Sequence, residues 1–258
     1  MLLLMRAVRT IDLKDIEIGQ DRYDQLLFFL STLVNESGLS ISRDELGLCL
    51  DHLLYVCQVN EYINLTRITD LDDAIVLHIL DSLLLESYIP DSVERVLDMG
   101  TGAGFPGIPL AATTGLDYVL LDSVGKKINA VKAFAEKLQL GNVTAVHSRL
   151  EDYALEEPGR FDLVCARALA SMPVLVEYAT PFLRKGSYLM ISKGNPEQSE
   201  VDAGNAAASM CGLELVSHDE FDLPCDLGHR SIYLYESVRA LKVQLPRPSG
   251  TAKRTPLA

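Results

Sequence analysis

The sequence predicts an α/β protein in which a helical appendage precedes an open, mostly parallel, Rossmann-like sheet of seven strands. Three observations predict it. The apolar run Arg95-Val96-Leu97-Asp98-Met99 closes on Gly100, Gly102, Gly104 and Gly107, the pattern of a buried strand, a tight loop and a helix start. Short apolar runs with polar tips then alternate with helical periodicity as far as Lys193. Ahead of them, the stretch from Asp21 to about Pro90 carries helical period, broken only at 62–68. The implied divisions are a loosely held segment 1–20, a helical region 21–92, an α/β domain 93–237 and a tail 238–258.

Each element has its own local justification. Tyr23, Leu26, Leu27, Leu30, Leu33 and Val34 repeat at helical spacing up to about Gly38. Ser42 and Glu45 form a capping box before Leu46, Leu50, Leu53, Leu54 and Cys57, and the two helices are expected to make a small bundle. Residues 62–68 break the period, and Asp70 restarts it through His78-Ile79-Leu80-Asp81-Ser82-Leu83 to Ile89-Pro90. His78 has no second His or Cys at ligand spacing, so it reads as a ring bonded into the structure or as a wall of a site, and no metal is expected. Asp117 to Asp122 is a second strand ending on an acid. The helix after it turns Lys126, Lys127, Lys132 and Lys137 outward and Ile128, Val131, Phe134, Ala135 and Leu138 inward. Residues 143–147 alternate as a third strand, and Phe161 to Ala166 form a fourth with Arg167 at its tip. A helix opened by Pro173 is expected to run to 184–186. Tyr188 to Ser192 form a fifth strand ending on Lys193-Gly194, and a helix over 197–210 leads to an antiparallel pair near 213–218 and 231–235.

The candidate site residues lie at the carboxyl tips of these strands, where an open α/β sheet binds its ligands. Gly102, Gly104 and Gly107 satisfy GxGxxG, which points to a dinucleotide pyrophosphate on helix amides and hence to a nicotinamide oxidoreductase. Pro106 and Pro109 oppose that reading, because a proline at a helix start has no N–H to offer. Asp98 is better explained by a cationic, hydroxyl-rich ligand, and S-adenosylmethionine carries a sulfonium, an ammonium and a ribose. Asp122, with Ser123 after it, stands where an α/β cofactor fold places the carboxylate for ribose hydroxyls. In the turn after the third strand, Leu150 can flank an adenine while Glu151 meets its polar edge, with helix capping an equal reading for the acid. Arg167 is suited to a carboxylate or phosphate, or else to a salt bridge.

Composition narrows the setting. Five cysteines are scattered with no CxxC, so neither a disulfide framework nor a zinc site is expected and a reducing cytoplasm fits. No run reaches membrane-spanning length. The net charge of -13 opposes a nucleic-acid partner, but its distribution qualifies that: no acid follows Glu236, whereas Arg239, Lys242, Arg247, Lys253 and Arg254 do. The tail reads either as a basic arm for phosphate or as a solvated end.

Asn64-Leu65-Thr66, the 78–83 segment, the 98–110 glycine-proline motif, Leu121-Asp122-Ser123, Ser148-Arg149 and Arg167-Ala168 together resemble the bacterial 16S ribosomal RNA guanine-N7 methyltransferases (RsmG, or glucose-inhibited division protein B). The likeness runs from about Ser37 through Pro246-Arg247 and Gly250-Thr251. It implies the class I S-adenosylmethionine-dependent methyltransferase fold, with 16S ribosomal RNA or the small ribosomal subunit as partner and a monomer acting in the cytoplasm. It further implies that Gly100 and Phe105 line the cofactor site, that Leu150 and Glu151 face the adenine and that Arg167 completes it. Asn64, Arg67, His78 and the basic tail with Arg247 would border the RNA, and Arg167 and Lys193 would position it. Guanine N7 presents an unprotonated lone pair, so no catalytic acid or base is expected. A non-catalytic RNA-binding assembly factor with a vestigial pocket is the other reading.

Overall fold

The computed structural model describes residues 11–258 and centres on one seven-stranded sheet ordered β3-β2-β1-β4-β5-β7-β6. β1 (Arg95–Met99), β2 (Asp117–Asp122), β3 (Val143–His147), β4 (Phe161–Arg167) and β5 (Leu183–Lys193) are mutually parallel, and β7 (His229–Ser237) pairs antiparallel with both β5 and β6 (Leu213–Asp222). The order turns back at β1, with β2 and β4 on its two sides. A crevice opens at such a reversal because successive connections leave to opposite faces.

Strand alternation divides the interior in two. Val96, Leu120, Leu163, Cys165 and Met190 face one hydrophobic cluster, while Leu97, Met99, Val119, Leu121, Val164 and Leu189 face the other. The first cluster also takes in α1 (Gln20–Glu36) and α2 (Arg43–Asn60). These helices therefore share the sheet's core, instead of forming a bundle with a core of their own. The Ser42 capping box is present in full. Residues 11–19, expected to be loosely held, lay Ile11, Leu13, Ile16 and Ile18 against this core, and the Lys14 N–H donates to Gln58 Oε1 at 3.0 Å. Residues 1–10 lie outside the described residues.

The third helical stretch, capped by Asp70, is composite: α3 (Leu71–Ala74), a π-helical turn (Ile75–Leu80), α4 (Asp81–Leu83) and a 3-10 turn (Leu84–Tyr88). The widened turn carries His78 and is followed directly by Asp81.

Beyond β1 come α5 (Gly107–Thr114), α6 (Gly125–Lys137), α7 (Leu150–Glu156), α8 (Met172–Ala179) and α9 (Gln198–Met210). The helix expected to reach 184–186 ends at Ala179 instead. A 3-10 turn, Thr180–Phe182, follows it and holds Pro181, whose missing N–H cannot continue an α-helix. β5 begins at once, and its register jumps from Phe161↔Leu183 to Leu163↔Tyr188, so the residues first read as a helix end are an irregularity in a strand.

The tail is also ordered. Arg247 pairs with Glu177 of α8, itself 3% exposed, and also donates to the Thr255 carbonyl at 2.8 Å. α10 (Thr251–Arg254) buries Ala252 in the second cluster, with Val243, Leu245 and Leu257 packed beside it.

Gly107, the last glycine of the motif, lets α5 lie on the sheet. A Cβ there would stand 2.1 Å from Leu120 Cδ2 and 2.8 Å from Asp98 Oδ2. Gly107→Ala should therefore lower unfolding free energy by about 2 kcal/mol, as overpacking does. Urea denaturation measures it, and an unchanged midpoint would contradict this close approach.

Candidate active site at the strand tips

The loop after β1 is fastened on both sides. Gly100 and Thr101 N–H groups both donate to the Leu121 carbonyl, at 2.8 and 3.0 Å, and the Gly102 N–H donates to Asp122 Oδ2 at 3.1 Å. Gly100 adopts φ +72°, which favours glycine, and a Cβ there would also displace the Leu169 side chain, whose Cδ1 lies 2.6 Å away.

At the start of α5 every amide is committed. Gly107 donates to Asp98 Oδ2 at 3.1 Å, Ile108 to the Gly104 carbonyl at 2.7 Å and Leu110 to the Pro106 carbonyl at 3.2 Å, while Pro109 has no N–H. Nothing remains to cradle a pyrophosphate. This corrects the expectation for Asp98. The residue is 1% exposed and lines no cavity at the loop, and its work is to cap α5 from below. Burial pushes its carboxyl up to about 6, against the opposing Gly107 bond.

Two cavities meet at Gly100. The smaller, about 150 Å³, is bordered by Asp122, Ser123, Leu150 and Glu151, as expected, and also by Leu169 and Tyr178. The Asp122 carboxylate rests on the N–H groups of Gly102 and Val124, which fixes its direction and leaves further acceptor capacity on each oxygen. The larger, about 710 Å³, brings together Asn64, Arg67, His78, Gly102, Phe105 and Arg167, and adds Lys127 from the outward face of α6.

Phe105 ties the helical region to the loop. His78 stacks on its ring at 4.7 Å between centroids, His52 of α2 meets it at 4.4 Å, and the Arg167 guanidinium lies 5.9 Å from its centre. His78 Nε2 is 2.8 Å from Thr66 Oγ1, so the ring is bonded into the structure while it also lines the larger cavity. Burial and the Arg167 charge press the imidazole down to about 4, leaving it neutral near pH 7.

Arg167 makes the salt bridge that was one of its two readings. It lines the cavity, and its Nη1 donates to Asp81 Oδ2 at 2.8 Å. Lys193 borders neither cavity at the loop; its Nζ donates to the Ala170 carbonyl and pairs with Glu200 at 2.7 Å. Arg247 is corrected outright. Its guanidinium is spent on Glu177, so it anchors the tail, which then reaches the smaller cavity. There the Gly250 N–H donates to Glu151 Oε1 at 2.8 Å, Arg149 donates to Ser249 Oγ at 3.1 Å, and Lys253 joins the lining. Glu151 thus holds the tail as well as facing the cavity. The sequence marks Gly250 and Lys253 only as members of the tail; their place at this cavity depends on a buried acid on α8, far away in sequence.

Sequence reasoning also passed over His52, which reads as one more member of an amphipathic helix. It is wholly buried, and its Nε2 lies 2.9 Å from the Ala103 carbonyl, so Nε2 carries the proton and Nδ1, without a partner, is bare. Burial holds its pKa down at about 3. As pH falls below 6.5 the unfolded chain takes up this proton and the folded chain does not, so stability is lost between pH 6.5 and about 3. By about pH 5 the loss from this group should reach about 2 kcal/mol. In His52→Gln, which keeps a donor for the Ala103 carbonyl, denaturation over that interval should be flatter by this amount; parallel curves would contradict the assignment.

Comparison with known proteins agrees with this geometry. A family model described as rRNA small subunit methyltransferase G (GidB) matches residues 49–228. The chain is 39% identical over 201 residues to the ribosomal RNA small subunit methyltransferase G of Desulfitobacterium hafniense, covering 77% of this chain and 83% of that protein. Against the protein of the same name from Carboxydothermus hydrogenoformans it is 35% identical over 231 residues, covering 88% and 98%. Among solved structures, M. jannaschii TYW2 in complex with AdoMet is similar in fold, with a TM-score of 0.50 at 15% identity over 62% of this chain and 76% of that one. With its strand order, its glycine loop and these relatives in agreement, the chain belongs to the rRNA small subunit methyltransferase G family.

Proposed function

We propose that the protein transfers the methyl group of S-adenosylmethionine to N7 of a guanine in 16S ribosomal RNA. The observation that carries this is the pair of cavities joined at Gly100, one bordered by carboxylates, the other by Arg67, Lys127 and Arg167. The residues present fit the cofactor. Gly100 offers backbone with no Cβ between the two cavities, and Asp122 presents fixed acceptors to a ribose. Leu150 supplies an apolar wall for an adenine, and Glu151 a polar edge. The saturated start of α5 disfavours the nicotinamide alternative.

S-adenosylmethionine supplies an electrophilic methyl on a sulfonium when bound. The protein's own task is placement. Asn64, Arg67, His78 and Arg167 border the space in which a guanine would present N7, and the stacked His78 and Phe105 rings give it one aromatic side. Holding the acceptor in line at near-attack distance and excluding water are orientation effects that can supply several kcal/mol. N7 carries its lone pair unprotonated near pH 7, so no residue needs to remove a proton. With His78 neutral, the charge offered to the substrate in this cavity comes from Arg67, Lys127 and Arg167. A 16S ribosomal RNA substrate, free or in the small subunit, is consistent with a protein that acts in the cytoplasm.

The test is mass mapping of N7-methylguanosine in small-subunit RNA from cells with and without this chain. One modified site should disappear, and unchanged RNA would refute the assignment. With purified protein, kcat should stay within about twofold from pH 6.5 to 8.5, since no proton transfer is rate-limiting. A steep bell-shaped profile at undiminished cofactor affinity would point to a catalytic base instead.

A further inference from the structure

Arg167 and His78 border a second space besides the base cavity. It measures about 350 Å³ and is closed by Ser192, Lys193 and Arg230. Strand register brings these groups together: Arg167 at the tip of β4 is paired with Ser192 on β5, Lys193 follows, and Arg230 enters on neighbouring β7. Three cations therefore meet with two carboxylates, Asp81 and Glu200. Asp81, 3% exposed, takes Arg167 Nη1 at 2.8 Å and Arg230 Nε at 2.7 Å, while Glu200 takes Lys193 at 2.7 Å. These bonds use part of each guanidinium only. Among the described residues, Arg167 Nε and Nη2 and Arg230 Nη2 have no protein acceptor.

An ion-pair network that merely joins the helical region to the sheet accounts for Asp81 and its two arginines. It does not account for Ser192. That residue is 2% exposed, lines the cavity, and its Oγ has no hydrogen-bond partner. A buried hydroxyl left unsatisfied costs free energy, and so does an excess of positive charge with spare N–H groups in a half-buried space. One ligand class resolves both, a phosphate, which accepts from a hydroxyl and from forked guanidinium donors together.

We propose that this cavity is a phosphate subsite that receives a backbone phosphodiester of the RNA strand beside the guanine, with Ser192 and Arg230 as its recognising residues. The assignment rests on the reading of the larger cavity as the base site, with which it shares Arg167. Asp81 aims the two guanidinium groups, and the subsite fixes the strand at one point while the base enters next door.

The test uses the full chain saturated with S-adenosylhomocysteine and titrated with pentanucleotides carrying a central guanine. In each, a different linkage is an uncharged methylphosphonate. Wild type should lose about tenfold in affinity at one linkage adjoining the guanine and less than about twofold at the others, the scale of charge-assisted hydrogen bonds. In Ser192→Ala and in Arg230→Gln that penalty should fall below about threefold, with affinity for S-adenosylhomocysteine unchanged as the sign of intact folding. If Arg230→Gln folds poorly, Ser192→Ala decides alone. Equal penalties at every linkage, or a penalty untouched by Ser192→Ala, would overturn the subsite. A second arm titrates inorganic phosphate: tight binding of free phosphate with no linkage effect would overturn the RNA assignment in favour of a small anion. Methyl transfer to small-subunit RNA is scored separately. Its absence in wild type would refute the proposed activity, whereas its presence beside uniform linkage penalties would refute only the subsite.

Discussion

The constraint on which the rest depends is the contact of α5 with the sheet. Gly107 lies against Leu120 so closely that no side chain fits, and its N–H is bonded to Asp98 beneath it. With the helix seated there, the chain between Met99 and Gly107 has to turn back within a few residues. That confinement produces the backbone conformation at Gly100, the double donation to the Leu121 carbonyl, and the cavity floor. A carboxylate buried under a helix start is costly; the helix's positive end and the Gly107 N–H offset part of that cost at Oδ2, while Oδ1 has no partner among the described residues.

From that joint the helical region acquires its role. α2 inserts His52 beneath the loop and holds the Ala103 carbonyl, and Phe105 lies between His52 and His78. The ring stack couples three separate segments through contacts of about van der Waals length, so displacement of the N-terminal helices displaces one wall of the base cavity. The shared core makes this coupling stiff. The π-helical turn sets the phase of the helix so that His78 faces Phe105 while Asp81, immediately past the turn, reaches the two arginines. A regular α-helix would rotate one relative to the other, which is why such turns recur at functional sites.

The tail shows the same economy of charge. In an acidic chain two of its basic residues find carboxylates within the protein. Arg247 goes to Glu177, and Arg239 to Glu214 at the outer strand. Their positive charge is thereby neutralised locally, and the cations that line the two cavities are Arg67, Lys127, Arg149, Arg167 and, from the tail, Lys253. The net charge of the body thus says little about an RNA partner, because the local arrangement at the strand tips decides what approaches.

Fold class, strand order along the chain, the Ser42 cap and the two cavities' loops were legible in the sequence, because each rests on interactions between neighbours in the chain. A strand followed by closely spaced glycines can only turn, and alternation assigns faces to β1 and β2 before any contact is known. Asp98 was misjudged from sequence alone, since an acid two residues before a glycine loop looks the same whether it faces solvent or a helix start. His52, the π-helical turn and the docked tail were decided by the tertiary structure alone. Each depends on a partner brought from far along the chain, Ala103, Phe105 or Glu177, and a local pattern carries no record of a distant partner, whereas the end of α8 is marked locally by Pro181.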